Sequence, residues 1–162
     1  MGIRFRGAPG FTPERLVAAR KEIGLRQQDL AESVGVKRLY ITALERGTRL
    51  PSPPVLLSIS KALNVQPLWL LSAEGDPTMV QLRFAAGLYQ REASSVLGIS
   101  DTLLSQYEMG ALEIPEEIFC YTHALYLTNE GVAQKAAKKT LNLNKKTAKR
   151  PTGPRGLRRK QI

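Results

Sequence analysis

Leu25-Arg26-Gln27-Gln28-Asp29-Leu30-Ala31-Glu32-Ser33-Val34-Gly35-Val36-Lys37-Arg38-Leu39-Tyr40-Ile41-Thr42-Ala43-Leu44-Glu45-Arg46-Gly47 is the stretch on which the fold turns. Its apolar residues recur at three- and four-residue spacing, which predicts helices, and no alternating strand pattern competes. Residues 26–33 read as one helix with Leu30 and Ala31 inward. Gly35 stands where the chain must turn through positive φ, and a further helix runs from about Lys37 to Arg46 before Gly47. A turn this short makes the two helices brace each other. Val34, Val36, Ile41 and Leu44 then face inward, and Lys37, Arg38, Leu39, Thr42, Ala43 and Arg46 face out.

Upstream, Thr12-Pro13-Glu14 is a helix start, with an N-cap hydroxyl, proline at the first helical position and an acid at the positive dipole end. That helix runs through Leu16, Val17, Ala19 and Arg20 toward Gly24. Downstream, the loop from Thr48 to Pro54 leads into a fourth helix carrying Leu56, Leu57, Ile59 and Leu63, and Asn64 stops it. Pro67-Leu68-Trp69-Leu70-Leu71 reads as an apolar fifth helix closing the core, with Trp69 inside. Residues 1–11 are expected to form a flexible arm, and 12–72 a first domain.

The pattern recurs at an offset of 63 residues. Arg20, Gly24, Leu25, Gln27, Gly35, Glu45 and Gly47 fall on Arg83, Gly87, Leu88, Gln90, Gly98, Glu108 and Gly110. Residues 78–130 are therefore expected to be a second, degenerate copy, joined by a linker at 73–77. Ala93 replaces Leu30 in it, and Tyr107 replaces Leu44.

Charge divides the chain in the same places. The net charge of +10 is the sum of +6 over residues 1–72, −7 over 73–130 and +11 over 131–162, the last with eleven Lys/Arg and no acid. Residues 131–162 have the composition of a disordered basic tail. No apolar run approaches the roughly 20 residues that cross a bilayer, and no signal-peptide core follows Met1. A soluble protein of the bacterial cytoplasm or nucleoid, without membrane contact, is expected. Arg6 stands where a myristoylation motif wants Ser or Thr. The single Cys120 and single His123 make neither a disulfide nor a metal cluster. No phosphate-cradling glycine loop or nucleophile–base pair is present, so no enzyme, cofactor or metal is expected.

In combination, the glutamine opening the second helix, the Leu-Ala within it, Gly-Val at the turn, Ile41 and Glu-x-Gly at the end resemble the Cro/phage-repressor family, often termed XRE-like. The resemblance covers residues 12–72 well and 77–128 more loosely. It implies an all-α fold of two tandem five-helix lambda-repressor-like helix-turn-helix domains and a basic tail. It also implies that Arg20 and Glu45, and by register Arg83 and Glu108, are structural ion pairs between helices.

The expected function is sequence-specific binding of double-stranded DNA to regulate transcription, as a repressor of phage or mobile-element type. The major groove presents acceptors on guanine that a forked cation bridges and a thymine methyl that accepts apolar contact. Lys37, Arg38, Leu39, Thr42 and Ala43 are the expected base contacts; Arg26, Gln27, Gln28, Tyr40, Arg46 and Arg49 are the expected phosphate contacts, Gln27 at a positive helix end. Tyr40 can alternatively pack inward. Gln90, Arg91, Thr102 and Gln106 are the candidates in the second copy, although an acidic segment approaching a polyanion meets repulsion. A homodimer, and a protein partner for the acidic copy as in an antitoxin or adaptor, both stay open.

Overall fold

The computed structural model describes residues 7–71 and 77–118. The expectations about the basic tail, the far end of the second copy, Cys120 and His123 lie outside the described residues. Helix α1 spans Pro13–Glu22, α2 Gln27–Val34, α3 Arg38–Glu45, α4 Pro53–Ala62, α5 Met79–Ala85, α6 Gln90–Leu97 and α7 Asp101–Glu108. A single antiparallel bridge between Phe11 and Leu71 is the extended pairing among the described residues.

The first unit forms as its spacing dictates. Leu16, Ala19, Leu30, Ala31, Ile41, Leu44, Leu56 and Ile59, drawn from four helices, share one core. Gly35 ends α2 at φ 75° and Gly24 follows α1 at φ 72°, both in the left-handed region that glycine enters without a Cβ penalty. Asn64, at φ 53°, does the same after α4.

Four expectations change here. The fifth helix is a single 3₁₀ turn, Pro67–Leu70, because Pro67 offers no N–H and Leu71 leaves at once in extended conformation to pair with Phe11. Trp69 is 41% exposed and not in the core: the Arg15 guanidinium lies 5.6 Å from its ring centroid and donates 2.7 Å to its carbonyl. Leu70 and Leu71 fill the core place that Trp69 was expected to take. The Thr12 hydroxyl does not cap α1; it donates to the Gly10 carbonyl at 3.3 Å, and Pro13 in the first turn leaves one fewer N–H to cap. Finally, the arm is packed from residue 7 onward. Ala8 is fully buried and its N–H reaches the Pro51 carbonyl at 2.9 Å, while Phe11 joins the core.

Beyond residue 77 the 63-residue offset recurs in geometry. Helices α6 and α7 begin and end 63 residues after α2 and α3, Gly87, Gly98 and Gly110 repeat the positive φ of Gly24, Gly35 and Gly47, and the backbone is helical again at 116–118. Thr78 caps α5 by accepting the Gln81 N–H at 3.3 Å, while its own N–H donates to Gln81 Oε1 at 2.8 Å.

The two halves share apolar surface. Val80 and Phe84 of α5 are buried in the first unit's core, whereas Met79 and Leu82, on the other side, gather Leu88 and Ile114. Burying Phe84 alone contributes about 1.5–3 kcal/mol, so α5 ties the halves together. At Gly87, φ 76°, a Cβ would sit 2.7 Å from Leu57 Cδ2 of α4; at Gly35 and Gly98 nothing lies within 4 Å of one. Gly35→Ala is therefore expected to cost only the left-handed strain of about 1–2 kcal/mol. Gly87→Ala must add the displacement of Leu57 to that strain, and urea unfolding of the two variants side by side checks the difference.

Candidate nucleic-acid interface

The geometry of the first unit centres on Glu45, at the end of α3. Arg20 of α1 donates to it twice, Nε to Oε1 at 2.5 Å and Nη2 to Oε2 at 3.0 Å, and its Nη1 reaches the Leu25 carbonyl at 2.7 Å. Gln27, the first residue of α2, donates from Nε2 to Glu45 Oε2 at 2.8 Å and accepts at Oε1 from the Thr42 hydroxyl at 2.9 Å. One chain of bonds thus holds α3 to both preceding helices. Ile41 and Leu44 are fully buried beneath it. Burial pushes the Glu45 carboxyl up, but the hydrogen bonds from Arg20 and Gln27 outweigh it and leave the group below its ordinary range.

On the outer side, Lys37, Arg38 and Leu39 are exposed at the start of α3, Leu39 at 74%. Thr42 and Ala43 are half-buried further along, and Arg46 and Arg49 are exposed beyond its end. The Tyr40 ring packs against the core and its hydroxyl donates to the Leu50 carbonyl at 3.4 Å. Gln28 is exposed and its amide donates to Glu32 at 2.6 Å. Gln27, expected as a phosphate contact at the start of α2, is half-buried and its amide holds two protein partners. Its position beside Glu45 gives no signal in a one-dimensional pattern, although the recurrence of the Gln/Glu pair at 90 and 108 was a hint.

Arg26 is also engaged. It donates to Asp29 from Nη2 at 2.8 Å and Nε at 3.0 Å, and its backbone N–H reaches the same carboxylate at 2.8 Å. The side-chain bond from Arg26, with the backbone bond, holds the Asp29 carboxyl down at about 2. A carboxyl lowered on folding contributes stability that is present above its unfolded value of 3.8 and is lost as pH falls through about 2. With Asp29→Asn, the stability lost on acidification between those values is expected to shrink. Thermal melts stepped through that window measure it.

The second half repeats the pair with deeper burial. Arg83 Nε and Nη2 donate to Glu108 at 2.5 and 3.1 Å, Nη1 to the Leu88 carbonyl at 2.9 Å, and Gln90 Nε2 to Glu108 at 3.4 Å. Here burial pushes the Glu108 carboxyl up and wins over the Arg83 bonds that pull it down. Ser105, at the place of Thr42, is buried and its hydroxyl has no hydrogen-bond partner among the described residues. Ser94 donates to Asp101. Gln90 and Arg91 line a cleft of about 230 Å³ with Arg83, Tyr89, Asp101 and Pro53, the first residue of α4. Thr102 is exposed and Gln106 half-buried. Among the described residues, no group of three His, Cys, Asp or Glu is arranged to hold a metal ion, and no helix is long and apolar enough to cross a membrane.

The helix-turn-helix family matches residues 16–70, from within α1 to the end of the 3₁₀ turn. The uncharacterized HTH-type transcriptional regulator YqaE of Bacillus subtilis is 34% identical over 92 residues, which are 57% of this chain and 72% of that protein. This chain belongs to the helix-turn-helix family of transcriptional regulators. Within that family it is also similar to an uncharacterized HTH-type transcriptional regulator of Methanothermobacter thermautotrophicus, 42% identical over 59 residues that cover 35% of this chain and 86% of the relative. Repressor protein C2 of Salmonella phage P22 is 39% identical over 67 residues, 41% of this chain but only 31% of the phage protein. No solved structure matches this helix-turn-helix chain.

Proposed function

We propose that the chain is a sequence-specific, double-stranded DNA-binding transcriptional regulator of the repressor type found in phages and mobile elements, acting without catalysis. The observation that carries this is the contrast across α3. Its inner side is held by Ile41, Leu44 and the Glu45 bonds, while Lys37, Arg38 and Leu39 stand free at its leading end. A helix entering the major groove needs just this: a cationic, donor-rich tip on a rod that cannot rock. Lys37, Arg38, Leu39, Thr42 and Ala43 face the bases, with Arg38 forking onto guanine. Arg26, Gln27, Gln28, Tyr40, Arg46 and Arg49 flank them toward the phosphates. Two chains pair across a two-fold site.

In this reading, residues 78–130 are a degenerate second copy of the same domain, supported by the repeated glycine φ values and the repeated Arg–Glu pair. Its role is packing and protein contact. Gln90 and Arg91, at the start of α6 where the first copy has Gln27 and Gln28, line a cleft against Pro53, which leaves less room there for a DNA backbone. The acidic balance of this half favours a second reading, an antitoxin or adaptor that uses the second copy to hold a protein. A stoichiometric partner co-purified from the native host, and retained by an Arg38→Ala variant, is its signature.

Selection of bound sites from random duplexes by the full chain tests the proposal. A short enriched motif is expected, palindromic for a pair of chains; a pool left unenriched overturns it. An asymmetric site spanning two successive major grooves means instead that both copies read. Arg49→Ala is expected to keep the motif and lower the slope of log K against log salt by about 1, the loss of one phosphate contact.

A further inference from the structure

We propose that the outer face of α6 and α7 is a docking surface for this chain's own C-terminal segment, residues 131–162. The first observation is a loss of positive charge in a shared register. Five of the exposed cations of the first unit, Arg26, Lys37, Arg38, Arg46 and Arg49, stand 63 residues before Tyr89, Ser100, Asp101, Met109 and Leu112. None of the five positions keeps a positive charge. The arginine gained in the second half, Arg91, lies at the cleft beside Pro53.

The second observation is what stands exposed in this half. Tyr89, the N-cap of α6, and Glu92 and Val96 within it follow one another at three- and four-residue spacing, so they form one stripe, and all three are exposed, Val96 at 66%. Leu112 and Glu113 are exposed just beyond α7, and Glu116 and Glu117 after them. Carboxylates interleaved with bare apolar side chains suit a cationic segment that carries some apolar residues of its own.

This chain contains one. Residues 131–162 hold eleven Lys/Arg, no acid, and Leu141, Leu143, Leu157 and Ile162. The described chain ends at residue 118, in the half that bears the face, and residues 119–130 span at most about 40 Å when extended, ample to bring the segment back over a unit this small. A second copy of the same face is the poorer occupant, because like charge would meet like charge. The consequence for regulation rests on the DNA reading proposed above: phosphates and the α6–α7 face compete for one cationic segment, so the free protein keeps its nonspecific affinity in check.

Paramagnetic broadening in the full chain tests the docking. A ¹⁵N-labelled protein with Cys120→Ser and Lys146→Cys carries a nitroxide at residue 146. At low salt, amides of residues 92–96 and 102–106 are expected to lose most of their intensity and those of α1 to α3 to keep theirs. High salt, or Glu113→Lys with Glu116→Lys and Glu117→Lys, is expected to restore them while the α1–α4 spectrum stays unchanged. Intensities that stay whole at low salt overturn the proposal, as does broadening centred on α1 to α3. So does broadening carried between chains when nitroxide-labelled ¹⁴N protein is mixed with unlabelled ¹⁵N protein, which assigns the face to a second copy. The measurement needs no DNA, so a failure of DNA recognition leaves its result standing.

Discussion

Glu108→Ala is expected to lower the unfolding free energy by about 3–5 kcal/mol, a large part of the roughly 5–15 kcal/mol that holds a domain of this size together. Arg83 is only 3% exposed, and two of its three donating nitrogens are spent on Glu108. Alanine leaves the nearly buried cation with the Leu88 carbonyl as its remaining hydrogen-bond partner among the bonds described. Glu45→Ala removes the same carboxylate from Arg20, which is 10% exposed, and is expected to cost less because water can take up part of the load. Glu108→Gln, which keeps an acceptor for Arg83, should fall between wild type and alanine. Urea unfolding followed by circular dichroism ranks the three; an alanine cost below about 1 kcal/mol would mean that the pair is dispensable and that packing alone holds α5 to α7.

The second large effect is on recognition. Arg38→Ala combined with Thr42→Ala is expected to erase most of the discrimination between the selected site and scrambled duplex. A bidentate arginine–guanine pair is worth about 1–3 kcal/mol, or roughly 5- to 150-fold in relative affinity. Affinity for scrambled DNA should change little, since Arg46 and Arg49 remain. Stability should change little too, since Arg38 is exposed and Thr42 gives up only its bonds to Gln27 and to the Arg38 carbonyl. Thr42→Ser separates two roles: it retains the bond to Gln27 Oε1 at 2.9 Å and removes the methyl that would meet thymine. Competition titrations with both duplexes, on protein whose melting curve matches wild type, give the answer. Undiminished discrimination in the double variant would remove α3 as the reading element.

The α-helices of the helix-turn-helix stretch were legible because the relevant physics is local. Three- and four-residue spacing placed Leu30, Ala31, Ile41 and Leu44 inward, and all four are buried. Glycines at 24, 35, 47, 87, 98 and 110 read as turns, and all six have positive φ, since few other residues enter that region cheaply. The 63-residue register lined up Arg83 with Glu108 before any distance was known.

What escaped the sequence was everything set by competition between distant segments. Trp69 looked like core by its apolar neighbours, yet Arg15, 54 residues earlier, draws its backbone carbonyl outward and covers its ring. Gln27 reads as a phosphate contact at a helix start, but that its amide also bonds Glu45 and Thr42 depends on where those two arrive in space. The packing of α5, which sinks Val80 and Phe84 into the first unit's core and presses Gly87 against Leu57, cannot be inferred from periodicity. An apolar stripe says only that something covers it. The sequence by itself determined the helices, their inward faces and the charge each half carries, because these follow from neighbours a few residues apart. Only the tertiary structure decided which partners close each buried polar group and which surfaces stay open, because burial and hydrogen-bond satisfaction are settled jointly by segments that meet once the chain has folded.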